Sequence, residues 1–137
     1  MTDIAKLEAD LIRDEAFRGK PFTDTAGKLT VGYGRNLADV GISPAEALML
    51  LRNDMATAEL ELDRGLPWWR GLSEPRQRAL ANMCFNLGLR RLMGFHRMLA
   101  ALQARDYTLA AKEALDSKWA DQVGNRAKRI AALIEEG

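Results

Sequence analysis

Between Pro21 and Gly34 the chain leaves the helical period that governs nearly all the rest of it. Phe22 precedes the turn-forming run Asp24-Thr25-Ala26-Gly27. Leu29-Thr30-Val31 and Tyr33 follow, with Gly32 and Gly34 among them. β-branched and aromatic residues bounded by aspartate and glycine predict a small β-hairpin or three-stranded sheet. Before it, Ile4, Leu7, Leu11 and Ile12 recur at helical spacing and predict an amphipathic helix over 3–17, ended by Arg18-Gly19-Lys20-Pro21. After it, Ser43-Pro44-Ala45-Glu46 is a capping box with proline at the first helical position. The helix it opens carries Leu48, Leu51, Met55 and Leu62 on one stripe and breaks at Gly65-Leu66-Pro67. Ser73-Glu74-Pro75 starts another, with Leu80, Met83, Cys84 and Leu87 inward and Gly88 as its stop. Further helices are predicted from Phe95 to Gln103, from Thr108 to Trp119, and after a cap at Asn125, the last with Ala127, Ile130, Ala131 and Ile134 on its apolar side. The fold class these elements require is α+β: a helix, a small sheet, a long linking helix, then a helical bundle.

At 137 residues the chain is expected to form one domain. Within it we expect a small lobe over about 13–45 and a helical lobe made of 1–12 and 46–137. The net charge of +1 hides an asymmetry: residues 1–63 hold 12 acidic and 7 basic side chains, net −5, and residues 64–137 hold 7 acidic and 13 basic, net +6. A basic half can face an anionic polymer, whether nucleic acid or bacterial wall, or be a solvated arginine-rich surface. The single cysteine, Cys84, excludes an internal disulfide and a cysteine zinc cage, and His96 is the only histidine. The N-terminal residues are charged and lack the apolar core of a signal peptide, and no apolar run approaches the roughly 20 residues of a membrane span.

Three polar residues sit around the small sheet. Glu15 lies at the end of the first helix, Asp24 at the hairpin turn nine positions later, and Thr30 on the following strand. A hairpin brings 24 and 30 together, and the short 18–21 link can return the strand toward the helix end, so two carboxylates could face each other across a cleft. Glycoside hydrolysis uses such a pair: one acid protonates the leaving oxygen and, in an inverting enzyme, the other carboxylate activates water from ~6.5–9.5 Å away. A threonine hydroxyl, both donor and acceptor, is suited to hold that water. Glu15 would have to stay protonated near neutral pH, which requires burial or a neighbouring negative charge. Spacing alone leaves open the ordinary role of Asp24 as a turn residue.

Residues 15–34, EAFRGKPFTDTAGKLTVGYG, resemble the signature of the T-even-type phage lysozymes, glycoside hydrolase family 24: Glu-x8-Asp-x5-Thr followed by Gly-aromatic-Gly. Ala79 to Gly88, ALANMCFNLG, and Trp119 to Arg129, WADQVGNRAKR, resemble two further segments of that family, and Phe95 follows a glycine as in the family. Together the matches span about residues 7–134 in order. The resemblance implies a lysozyme-like fold, an N-terminal helix and antiparallel sheet lobe joined by a long helix to a mainly helical lobe. It implies cleavage of the β-1,4 bond between N-acetylmuramic acid and N-acetylglucosamine with inversion, Glu15 as acid, and Asp24 as base with Thr30 on the water. Asn86 is implied as a substrate hydrogen-bonding residue. Arg126 matches an arginine near the catalytic glutamate and is taken as a second substrate-binding candidate. No cofactor or metal is expected; the partner is bacterial peptidoglycan, not nucleic acid, with no stable membrane insertion, and the chain is expected to be a monomer. The family's usual setting implies that the enzyme waits in the host bacterial cytoplasm until a holin opens the membrane. Arg35 departs from the histidine of many relatives, and the segment from Arg35 to Ser43 is short.

Other pairings compete. Cys84 and His96 could make an amidase-like pair, but Cys84 lies on an apolar stripe and reads as a buried structural cysteine. Trp68 and Trp69 could stack on sugars, though one packed and one half-exposed indole is the commoner outcome. Trp119 reads as core. A catalytically silent wall-binding module is opposed by the presence of Glu15, Asp24 and Thr30 together, and a lytic transglycosylase by the water-activating pair Asp24 and Thr30. A nucleic-acid-binding helical protein would share the basic second half, as would an enzyme for anionic murein.

Overall fold

A computed structural model describes all 137 residues, and the chain forms two compact units, Met1–Met49 and Leu50–Gly137. The first holds α1 (Ile4–Glu15), β1 (Arg18–Thr23), β2 (Leu29–Gly32), β3 (Arg35–Asn36) and the start of α2 (Pro44–Gly65). Asp3 caps α1, its carboxylate accepting from the Lys6 amide at 3.1 Å. Ile4, Leu7, Leu11 and Ile12 of its apolar stripe are exposed. The helix stops at Glu15, two residues before the expected end, because Ala16 adopts φ +53°.

The three strands form one antiparallel sheet in the order β1-β2-β3. The expected break at Arg18-Gly19-Lys20-Pro21 is instead the start of β1. Pro21 is tolerated there because β1 is an edge strand and its ladder is irregular between Arg18 and Phe22, where the missing N–H leaves no regular pairing unmet. Thr30, in the central strand, pairs with Phe22 on one side and Asn36 on the other. The capping box forms as expected: the Glu46 amide donates to Ser43 Oγ at 3.1 Å and the Ser43 amide to Glu46 Oε1 at 2.8 Å.

The second unit contains the rest of α2, a single 3₁₀ turn (Trp69–Gly71), α3 (Glu74–Leu87), α4 (Leu89–Met93), α5 (His96–Gln103), α6 (Tyr107–Leu115), α7 (Lys118–Val123) and α8 (Asn125–Glu136). α8 packs on α3 and α6, and α5 on α6. The expected stripe of α8 is wholly buried, as are Leu80, Met83 and Cys84 of α3, and Trp119. Of the α2 stripe only Leu62 is buried; Leu48, Leu51 and Met55 are exposed. The predicted helix over 108–119 is two helices. The chain leaves helical geometry at Asp116, and Ser117 caps α7 by accepting from the Ala120 amide at 3.1 Å. Alanine-rich sequence hides such a break, because its propensity is helical on both sides. Asn125 is the first residue of α8 rather than its cap; Gly124, at φ +58°, makes the turn. No helix is long and apolar enough to cross a membrane.

Candidate active site

The sheet unit holds Glu15, Asp24 and Thr30. Glu15 is the last residue of α1 and is exposed. Its carboxyl lies over Gly34: a Cβ built on that glycine would stand 2.9 Å from Glu15 Oε2. Gly34 also needs its freedom at φ +80°. The ring of Tyr33 packs on Phe17 with centroids 5.5 Å apart. The Gly32-Tyr33-Gly34 turn thus presses against the α1–β1 junction, its tyrosine on Phe17 and its second glycine beneath the Glu15 carboxyl.

Asp24 follows β1 directly. Its Oδ1 accepts from the amides of Ala26 at 2.9 Å and Lys28 at 2.8 Å, which closes the turn, while Oδ2 has no hydrogen bond to the protein. Thr30 is 4% exposed, and its hydroxyl donates to the Lys28 carbonyl at 3.0 Å. The Asp24 amide donates to the same carbonyl at 2.9 Å. One residue's backbone therefore holds both groups: the Lys28 N–H fixes the carboxylate and the Lys28 C=O fixes the hydroxyl. With its proton committed to Lys28, Thr30 Oγ1 can only accept from a further partner. This use of the Lys28 backbone carries no side-chain signal, and sequence reasoning missed it.

Arg35 ties β3 to α2. Its guanidinium forks onto Glu46, with Nη2 2.5 Å from Oε2 and Nη1 2.8 Å from Oε1, and Nη1 also donates to the Gly41 carbonyl at 3.0 Å. Arg35, and then the Ser43 amide, pull the Glu46 carboxyl down to about 2. The fork closes the short loop between sheet and helix.

Asn86 and Arg126 belong to the helical unit. Asn86 is exposed, and its Oδ1 accepts from the Trp119 indole N–H at 2.8 Å. Trp119, 3% exposed, meets Phe95 edge-on at 6.0 Å. Arg126 Nε donates to Asn82 Oδ1 at 2.9 Å. Phe95 and Trp119 also line a hollow of about 540 Å³ whose charged lining residues are Arg91, Arg97, Lys118, Glu113 and Asp116, none of them in an ion pair. These charges are scattered in sequence, and only folding gathers them. Cys84 is 2% exposed; its thiol faces the Ala58 carbonyl and Glu61, each at 3.8 Å, rather than His96. Burial, with Glu61 adding to it, pushes the thiol up to about 11, which removes it as a nucleophile.

The phage lysozyme family pattern matches residues 13–135. The chain belongs to the phage lysozyme family. It is 30% identical to the pre-baseplate central spike protein Gp5 of Enterobacteria phage T4, over 93% of this chain but only 27% of the spike protein. It is 26% and 23% identical to the probable T4-type lysozymes 1 and 2 of Dictyostelium discoideum, in each case over 98% of this chain and 96% of the relative. The chain therefore spans about a quarter of the length of the spike protein and nearly all of the two Dictyostelium proteins. The α+β lysozyme-like fold expected from the sequence is the one observed, with the family match running from the end of α1 to the end of α8.

Proposed function

We propose that this phage lysozyme family member is a muramidase. It hydrolyses the β-1,4 bond between N-acetylmuramic acid and N-acetylglucosamine of bacterial peptidoglycan, with inversion at the anomeric carbon. The observation that carries this is the shared anchorage of Asp24 and Thr30 on the Lys28 backbone. A water between them donates one proton toward Asp24 Oδ2 and the other to Thr30 Oγ1, which leaves its lone pair for the sugar. As its oxygen bonds to the anomeric carbon, Asp24 takes up one proton, and Glu15 gives its proton to the departing glycosidic oxygen. Glu15 is exposed in the free protein, not buried as a general acid at this position was expected to be.

In the helical unit, Asn86 keeps its amide N–H groups for substrate oxygens while its Oδ1 is held by Trp119. Arg126 is a second polar contact. The unpaired cations Arg91, Arg97 and Lys118 outnumber the two lining carboxylates, Glu113 and Asp116, and suit the carboxylates of murein. Synthesis in the host bacterial cytoplasm, release through a holin and action as a monomer belong to the same proposal.

The test is mass analysis of fragments from purified murein together with proton NMR of the new reducing end. Hydrolysis at muramic acid giving the α-anomer first is the expected result. An anhydro sugar or an initial β-anomer would overturn the mechanism, and absence of any glycan cleavage would overturn the function. Glu15→Gln should lower turnover by at least ~10²-fold, within the usual weight of a general acid, with an unchanged circular dichroism spectrum.

A further inference from the structure

The loop after α2 presents one tryptophan and buries the next. Trp69 is 1% exposed, and its indole N–H donates to Asp63 Oδ1 at 2.7 Å. Arg70 reaches the same oxygen at 2.9 Å and lies over the Trp69 ring. Gln77 Nε2 donates to the carbonyls of Arg70 and Leu72 at 3.1 and 2.8 Å. These bonds hold the loop rigidly, so the position of the neighbouring Trp68 is set before any ligand arrives.

Trp68 is only half-buried and lines a hollow of about 230 Å³ with Gly71, Gln103, Arg105 and Tyr107. The Tyr107 ring is braced by the Arg76 guanidinium, 3.3 Å from its centroid. The side chains of Gln103 and Arg105 are exposed and bond to no other residue. Arg105 sits at φ +61°, a conformation that costs a non-glycine residue energy. Gly71 faces open space, with no atom within 4 Å of a Cβ built there. None of these residues belongs to the machinery assigned to bond cleavage.

We propose that this hollow is a second glycan-binding site, which holds one N-acetylated pyranose of a murein strand. An indole flanked by a tyrosine offers the apolar surface against which the C–H face of a sugar packs, while the rim stays wet. Gln103 donates and accepts, and Arg105 donates in a planar fork, which matches ring hydroxyls and an acetamido carbonyl. A volume below the ~300–1,000 Å³ of pockets that enclose a whole small ligand fits one ring of a longer strand, held weakly. A weak second contact matters on a polymer, where it raises the local concentration of the catalytic unit. The site rests on the muramidase reading for its role, but its binding is measurable without catalysis.

The first test is a ¹H–¹⁵N titration of the full chain with chitotriose in its fully N-acetylated form. Shifts of the Trp68 indole and of the Arg105 and Tyr107 amides are expected, and both Trp68→Ala and Gly71→Leu should abolish those at Arg105 and Tyr107. Gly71→Leu adds bulk at a residue lining the hollow without removing a wall, so it remains informative if Trp68→Ala perturbs the loop. The second test compares insoluble sacculi with short soluble glycan fragments: each variant should raise the half-saturating amount of sacculi about five-fold and leave kcat and soluble turnover unchanged. No shift at Trp68 up to the solubility of chitotriose, or shifts given only by a murein stem peptide, would overturn the site. Wild-type behaviour of both variants on sacculi would overturn its role. A chain that cleaves no glycan yet shows the Trp68 shifts would keep the site and remove the muramidase reading alone.

Discussion

Two residues set the Glu15 carboxyl where it is, and neither is charged. Ala16 turns the chain from helix to strand at φ +53°, ψ +146°, close to a region that glycine occupies without strain. Replacing it by glycine should relieve ~1–3 kcal/mol of strain against ~0.4–1 kcal/mol of added chain entropy in the unfolded state. The expected outcome is a net gain of about 1 kcal/mol, read as a higher urea midpoint. An unchanged or lower midpoint would mean that the turn is unstrained. Gly34 is the opposite case. A methyl group there meets Glu15 Oε2 at 2.9 Å and is strained at φ +80°. Gly34→Ala should therefore displace the carboxyl and lower turnover of murein by roughly 10–100-fold, the usual consequence of misplacing a reacting group by about an ångström. Its stability should fall by ~1–2 kcal/mol. Wild-type activity in this variant would show that the Glu15 position is not critical.

At the scale of elements, the junction of β3 and α2 depends on one ion pair. Glu46 serves the capping box and the Arg35 fork at once, and its carboxyl is held at about 2 against an ordinary 4.5. A carboxyl whose folded value is depressed stabilises the fold above its unfolded value, because the unfolded chain binds the proton more readily. That contribution is complete above about pH 4.5 and is lost as the pH falls toward about 2. Urea midpoints taken across this window should fall with acid more steeply in the native protein than in Glu46→Gln. Parallel pH profiles would show that the fork is energetically silent. The same fork raises the Arg35 guanidinium above its ordinary value, so its own proton stays on throughout the accessible pH range.

At the scale of the whole molecule, the apolar core lies in one unit. Every buried hydrophobic residue falls between Ala58 and Ile134, whereas the only buried residue of Met1–Met49 is Thr30. Regions with few buried apolar contacts open at lower free energy than packed cores. Native-state hydrogen exchange should therefore show slowest exchange in α3, α6 and α8, and markedly faster exchange in α1 and the three strands. Equal protection across both units would overturn this ranking. Elements that move in function come from the less stable end of a fold, which here is the sheet unit.

Local rules explain what could be read from the sequence. The capping box at Ser43–Glu46, the stop at Gly88, the stripe of α8 and the small sheet after Pro21 each rest on residues a few positions apart, so composition and period suffice to find them. The β start at Arg18 and the α6–α7 break were not legible, because an edge position excuses a proline and alanine hides a helix end. Spacing in the sequence nominated Glu15, Asp24 and Thr30, and the family resemblance added Asn86 and Arg126. Their partners came only from folding: the Lys28 backbone between Asp24 and Thr30, Gly34 under Glu15, Trp119 on Asn86 and Asn82 on Arg126. Such partnerships join backbone atoms or residues up to 44 positions apart. No local pattern records them, so the tertiary structure alone decides them.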